Sequence, residues 1–273
     1  MNVPTTPRAL SIAGSDSGGG AGIQADLKAF AACGVYGMTA VTAITAQNTV
    51  GVSSIHQIPP EMIVAQVRAV VDDIGVDVVK IGMLGTAETI DAVLDALDLL
   101  GPGTPVVVDP VMLSESGAVL LEPGARYRLV SRLLPRAAVV TPNIPEARAI
   151  VALAGAPGDP AGPDEVQALA AAIHALGPTA VVVTGGHRES TADVFFDSSG
   201  VVEIPGERFP DGAAHGSGCT HSSVLAARLA LGDTPLAAAR EAKRLAARAV
   251  AQGLRGIGAG AGPVDLLGVN RHR

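Results

Sequence analysis

Short runs of β-branched and aliphatic residues alternate along most of the chain with longer stretches whose apolar residues recur every three or four positions. The first rhythm is that of strands buried on both faces, the second that of amphipathic helices. Arg8–Ala13 reads as a strand, and a helix with Ile23, Leu27 and Phe30 on one face stops at Gly34. Thr39–Ala46 is a near-continuous apolar strand ending in Gln47-Asn48, and Ser53–Ile58 is a weaker one. Pro59-Pro60 opens a helix with Ile63, Val67, Val70 and Val71 inward, and Val76–Ile81 is the next strand. Thr86 caps a helix that turns Ile90, Val93, Leu94 and Leu97 to the core, and Val106–Val108 is a strand delivering Asp109-Pro110. A helix over Pro123–Leu134 and a strand over Ala138–Thr141 lead into Pro142-Asn143-Ile144-Pro145-Glu146, which opens another helix. Ala154–Pro163, rich in Gly, Pro and Ala, reads as a surface loop, followed by a helix over Asp164–Leu176. The strand Ala180–Thr184 ends in Gly185-Gly186-His187, and Thr191–Phe196 with Val201–Pro205 forms a hairpin across Ser198-Ser199-Gly200. Helices over Thr220–Leu231 and Leu236–Leu254 precede a glycine-rich tail.

Alternation of strand and helix implies a largely parallel sheet covered on both faces, and in such sheets ligands bind beyond the carboxyl ends of the strands. The polar and glycine clusters all fall at strand exits: Gly14–Gly22, Gln47-Asn48, Gly82-Met83, Asp109, Asn143–Glu146 and Gly185-Gly186. The cluster on which the others converge is Gly212–Cys219, where small residues run into a helix. Its unpaired N–H groups and the partial positive charge of the helix start make an anion site suited to phosphate. Gly216 and Gly218 let the backbone approach a ligand closely. The helix field is expected to lower the Cys219 thiol pKa. The bland alternative is a flexible turn with Cys219 a small inert hydrophobe.

With 273 residues the chain has length for one large α/β domain or two smaller ones. Aromatics are 2% of residues and Trp is absent, so the core must be built from Ala, Val, Leu and Ile. A net charge of −7 argues against a nucleic-acid surface and places the burden of phosphate binding on backbone amides and metal. Two cysteines are too few for a disulfide framework and fit a reducing cytoplasm. Met1–Arg8 lacks a signal-peptide core, and the uncharged stretch from Ala29 to Pro60 is broken by Gly34, Gly37, Gln47, Asn48 and Gly51, so no membrane span is expected.

Three motifs are ambiguous taken singly. Gly20-Ala21-Gly22-Ile23-Gln24-Ala25 matches a dinucleotide fingerprint between strand and helix, but the next strand ends in Gln47-Asn48 where that fold carries an acid. A nicotinamide-dependent oxidoreductase is therefore a distant alternative. Asn143 and Glu146 have the spacing of a helix capping box, and Asp109 that of a turn residue. Carboxylates at neighbouring strand exits would equally suit Mg²⁺, which takes few direct carboxylates and keeps its waters. His187 and His215 read as structural.

Taken together, Ile12–Lys28, Thr45-Ala46-Gln47-Asn48-Thr49, Lys80-Ile81-Gly82-Met83-Leu84, Val108–Met112, Thr141-Pro142-Asn143, Gly185-Gly186-His187 and His215–Thr220 resemble the hydroxymethylpyrimidine/phosphomethylpyrimidine kinases of thiamine biosynthesis, members of the ribokinase-like superfamily. The resemblance spans nearly the whole chain in order, including Cys where sugar kinases of the superfamily carry Asp. It implies a single kinase domain over residues 1–273, a three-layer α/β/α fold with a largely parallel central sheet and a small β-hairpin, and cytoplasmic, homodimeric enzymes using ATP and Mg²⁺. It implies that Gln47 bonds an aminopyrimidine, with Gly14, Ala21, Asp26 and Met83 completing the pocket. Cys219 would be the base facing the hydroxymethyl oxygen, and Gly216, Ser217 and Gly218 with it the anion hole. Thr184, Gly186 and Asn143 would meet the nucleotide, and Asp109 and Glu146, with Asn143, would organise Mg²⁺. Pyridoxal kinase on the same scaffold is the nearest alternative. The chain departs from the family pattern at Thr184, usually Lys, at Ala214 and Ser217, both usually Thr, and in a tail that lacks the His following Val264-Asp265.

Overall fold

A computed structural model describes residues 6–114, 117–155, 165–185, 191–209 and 212–272. Nine strands form one sheet in the order β3-β2-β1-β4-β5-β6-β7-β8-β9. The strands β1 (Arg8–Asp16), β2 (Tyr36–Gln47), β4 (Val78–Ile81), β5 (Val106–Val108), β6 (Val139–Val140) and β7 (Ala180–Val183) run parallel. The antiparallel edges are β3 (Val52–Gln57) on one side and the hairpin β8 (Asp193–Asp197) and β9 (Gly200–Ile204) on the other. This is the expected three-layer α/β/α arrangement.

Strand alternation divides the core in two. Leu10 and Ile12 of β1 and Val79 and Ile81 of β4 face α2 (Pro60–Asp73), α3 (Ala87–Leu97), α4 (Pro123–Arg128), α5 (Ile144–Leu153) and α6 (Glu165–His174). Ala9, Val78, Val107, Val139 and Val182 face α1 (Gly22–Ala32), α7 (Ser217–Ala230) and α8 (Pro235–Ala251), with Phe30 and Phe195 as the aromatic side chains of an Ala- and Val-rich layer. Ser11 and Lys80 share this second face, so the pleat carries two polar groups under α1 and α7.

Several starts follow their sequence signals. Thr86 accepts from Thr89 N–H, Asn143 and Glu146 form a capping box, and Pro60 and Pro235 occupy first helical turns. Several boundaries differ from expectation, three of them with consequences for the site or the core. β1 runs on through Gly14-Ser15-Asp16, with a register shift between Ala13 and Ser15 that bulges the pair beside Gly14. The helix expected over Pro123–Leu134 is α-helical only to Arg128, then widens to a π turn (Leu129–Leu133) and tightens to a 3₁₀ turn around Pro135, which cannot continue an α-ladder. α7 begins at Ser217 rather than Thr220, which puts Cys219 inside the first turn. Most of the loop expected over Ala154–Pro163 lies outside the described residues. Among the described residues no helix is long and apolar enough to cross a membrane.

Candidate active site

The two glycine loops expected at opposite ends of the chain meet. Gly216, the N-cap of α7, has φ +81°, and a Cβ there would lie 1.8 Å from the Gly20 carbonyl oxygen. Only glycine tolerates both the left-handed conformation and the approach. One hydrogen bond ties the loops together: His215 Nε2 lies 3.1 Å from Asp16 Oδ2. Asp16 also accepts from the amides of Gly18, Gly20 and Ala21 at 2.8, 3.1 and 2.8 Å. Burial would push this carboxyl up, but His215 and the amides outweigh it and hold it below the usual carboxylate range. The tail completes the brace, with Val264 N–H donating to His215 O at 3.1 Å.

That use of amides disposes of the dinucleotide fingerprint. The Gly20 and Ala21 N–H groups are given to Asp16, and the Gly22 N–H to the Cys219 sulfur. None of the three is left for a pyrophosphate. At the start of α7, by contrast, the amides of Gly218 and Cys219 have no partner among the described residues, while Ser217 N–H is spent on Ala214 O at 2.9 Å. The helix-start amides left open to an anion are therefore those of α7 rather than α1.

Cys219 corrects the expectation of a lowered thiol pKa. Desolvation pushes the thiol up to about 12; Lys80 is the main effect opposing it, Asp109 and Asp26 add to the rise, and the Gly22 N–H opposes least. The residue as a whole is half-buried, but desolvation of its sulfur outweighs the helix field.

Asp26 is also corrected. It was expected in the substrate pocket, but it is fully buried, 0% exposed. Its Oδ1 accepts from Lys80 Nζ at 2.9 Å and Ser223 Oγ at 2.6 Å, and its Oδ2 from Ser11 Oγ at 2.6 Å. These bonds bind α1, β1, β4 and α7 together beneath the site, and no face of the carboxylate is open to a ligand.

The other pocket residues sit where strands β1, β2 and β4 end. Gly14 abuts Met83, a Cβ there lying 3.1 Å from its Sδ. Met83 packs with Ala43 and Leu120, and Val111 beside them, as a small apolar pad separate from the two main cores. The side-chain carbonyl of Gln47 accepts from Thr45 Oγ1 at 3.1 Å, while its main chain is fastened to Ser17. Its NH₂ makes no hydrogen bond among the described residues. Gly22 joins pad to thiol, because its N–H points at the Cys219 sulfur and its α-carbon lies so close to the Gly14 carbonyl that a Cβ would be 2.4 Å away. Ala21 flanks the same junction.

On the other side of Cys219, Asp109 leaves the end of β5 and accepts from Ser222 Oγ at 3.0 Å. Burial pushes its carboxyl up, opposed by Lys80. Glu146 accepts from Asn143 N–H at 3.0 Å while Asn143 Oδ1 accepts from Glu146 N–H at 2.9 Å. The structural reading of this pair is thus realised, and it does not exhaust Glu146. Desolvation, with Asp109 repelling, pushes this carboxyl up to about 8. Thr184 lies alongside Asn143 in a parallel bridge, its N–H donating to Pro142 O at 2.9 Å. Gly186 and His187 lie outside the described residues.

The geometry defines an α/β protein with a helix-start anion site between an apolar pad and a pair of destabilised carboxylates, the layout of a phosphotransferase. Comparison with known proteins agrees. The family model for phosphomethylpyrimidine kinase matches residues 16–265. The chain is 48% identical over 262 residues to the hydroxymethylpyrimidine/phosphomethylpyrimidine kinase of Rhizobium meliloti strain 1021, covering 95% of this chain and 96% of that one. Among solved structures it resembles the pyridoxal kinase of Staphylococcus aureus in complex with AMP-PCP and pyridoxal, with a TM-score of 0.86, 32% identity, and 98% and 96% of the two chains covered. It also resembles the phosphomethylpyrimidine kinase of Clostridium difficile 630, with a TM-score of 0.75, 39% identity, and 87% and 96% covered. The chain belongs to the phosphomethylpyrimidine kinase family, and it is a kinase of the ribokinase-like fold.

Proposed function

We propose that this enzyme transfers the γ-phosphoryl group of ATP to the hydroxymethyl group of 4-amino-5-hydroxymethyl-2-methylpyrimidine, and then a second one to the resulting monophosphate. It would act as a single kinase domain and as a cytoplasmic homodimer. The observation that carries this reading is the junction at Gly22, which sets the Cys219 sulfur beside the Gly14–Met83 pad. A flat heteroaromatic ring on that pad, its amino-pyrimidine edge at the free Gln47 NH₂ and carbonyl, would present its alcohol to the sulfur. The Gly218 and Cys219 amides would hold the phosphoryl group, and Ala21 would close the ring's far side.

In the transfer, the hydroxymethyl oxygen bonds to the γ-phosphorus as the bond to the β,γ-bridging oxygen breaks, and ADP leaves with that electron pair. The alcohol's proton passes to the Cys219 sulfur once that sulfur is ionised. Such transition states are loose, so placement and charge matter more than early removal of the alcohol's proton. A thiol that holds its own proton in the free protein is compatible with this chemistry. Neutralising Asp109, one of the two carboxylates that raise the thiol, brings it down when the nucleotide binds. Asp109 and Glu146 fit Mg²⁺ by their donor chemistry: two crowded carboxyls, both pushed up, that a divalent cation between them would restore to their charged forms. They would hold the ion through its waters, with Asn143 beside them. The chemistry such an ion would supply is neutralisation of the charge on the nucleotide's phosphates. Thr184 and Gly186 would line the nucleotide side, with a hydroxyl where the family usually has a Lys.

A second reading, pyridoxal kinase activity, is favoured by the closeness of the fold to the Staphylococcus aureus enzyme. A coupled assay of ADP release over hydroxymethylpyrimidine, its monophosphate and pyridoxal decides between them. The expected result is the highest kcat/KM on hydroxymethylpyrimidine; a higher value on pyridoxal, or no ADP release from any of the three, overturns the first reading.

A further inference from the structure

Lys80 is the most enclosed cation of the described residues, 0% exposed, on a strand whose other residues are Val78, Val79 and Ile81. It donates a hydrogen bond to Asp26 at 2.9 Å. Gly82 roofs it so closely that a Cβ there would lie 3.0 Å from Nζ. The neighbours on α7 are arranged in register: Ser222 bonds Asp109 and the adjacent Ser223 bonds Asp26. The first two turns of α7 therefore rest on two carboxylates, with the ammonium beneath the same turns and Cys219 at their start. Burial would strip the proton from Lys80, but Asp26, with lesser contributions from Cys219 and Asp109, keeps it charged and above the usual lysine range.

An ion pair needed only for folding is usually replaceable by apolar side chains and has no reason to lie under the proposed base. We infer that Lys80 is a positioning residue of the reaction centre, its ammonium the fixed buried charge against which the Cys219 sulfur takes up negative charge. The groups whose charge or hydrogen bond acts on that sulfur are Lys80 from β4, Asp109 from the end of β5, Asp26 from α1 and the Gly22 N–H. Asp109 in turn faces His221 and Glu146. Lys80 is the one fixed cation of the set, in a chain that carries Thr184 instead of Lys at the nucleotide strand. This role rests on the kinase reading and deepens it, since it assumes that Cys219 acts on the substrate hydroxyl.

The test is the rate at which iodoacetamide alkylates Cys219, followed by intact mass in a Cys33→Ser background between pH 8 and 9.5. Well below the thiol's pKa this rate tracks the thiolate fraction, which falls about tenfold for each step of one in the thiol's pKa. Lys80→Met is expected to slow alkylation by about three- to tenfold, and Asp26→Asn, which removes the opposing charge, to speed it by a similar factor. A purely structural role would loosen the site in both variants and speed both. Rates that move together, or do not move, overturn the inference. Should Lys80→Met fail to fold by circular dichroism, the neutral double variant Lys80→Met/Asp26→Asn replaces it and must react more slowly than Asp26→Asn. Should neither fold, Asp26→Asn decides with a second readout: its alkylation must speed up while hydrogen-exchange protection of residues 217–225 stays unchanged. An unchanged or slower rate, or a faster one with lost protection, is a refutation. The assay needs neither ATP nor pyrimidine, so its failure would leave the kinase reading standing.

Discussion

Replacing Gly216 by Ala tests the meeting of the two glycine loops directly. At φ +81° an L-residue costs about 1–2 kcal/mol in backbone strain. The methyl group faces a harder obstacle, because its carbon would sit 1.8 Å from the Gly20 carbonyl oxygen, and real contacts stay beyond 3.0 Å. The obstacle is main chain, not a side chain that can swing away, so the loops must part by about 1.2 Å, the difference of those two distances. Parting them strains the His215–Asp16 bond and shifts the Gly218 and Cys219 amides relative to the Gly14–Met83 pad. Misplacement by roughly 1 Å is enough for about a hundredfold loss of rate in well-positioned catalysis. The backbone strain alone lowers the melting temperature by about 2–8 °C, at roughly 2–4 °C per kcal/mol for chains of this size class. Calorimetric melting and steady-state ADP release on the same preparation measure both effects. A variant that melts within about 1 °C of the parent and keeps its turnover would show that the loops do not touch as described.

Cys219→Ala is expected to lower kcat while leaving ATP affinity largely intact, because the amides that hold phosphate belong to the main chain; wild-type turnover would refute the base role. Gln47→Leu should weaken pyrimidine binding by about 1–3 kcal/mol, the cost of leaving polar ring atoms unpaired, and unchanged affinity by titration calorimetry would count against the pocket. Glu146→Gln should stabilise the nucleotide-free protein at pH 8 and not at pH 4.5. Glu146 ionises near 4.5 in the unfolded chain and only at about 8 when folded, so the stability present below the unfolded value is lost as pH rises through that window. Equal changes in melting temperature at both pH values would show that desolvation and the repulsion from Asp109 do not raise this carboxyl as described.

What could be read from the sequence was whatever is written locally. Thr86, Asn143 and Glu146, and Pro60 and Pro235 announce helix starts within four residues of themselves, and the apolar runs of β4, β5 and β7 declare strands buried on both faces. The site's location followed from topology, since glycine and polar clusters at strand exits must share one edge of a parallel sheet. What escaped depends on partners far apart in the chain. His215 and Asp16 are 199 positions apart, so His215 could be read as structural but not as the latch between two loops. Lys80 closes a run of valines and looks like a strand end; only the pleat that turns it toward Asp26, 54 positions away, makes it a buried ion pair. That same distance misled the assignment of Asp26 to the pocket. Cys219 failed for a different reason. The helix start supplies a field that the sequence displays, whereas desolvation comes from α1, β4 and β5 closing over the sulfur, which no local pattern records. The two effects have opposite signs, and the larger one is tertiary. The thiol's proton affinity is therefore set first by burial and then by the charges of Lys80, Asp109 and Asp26 around it, more than by the helix that carries it.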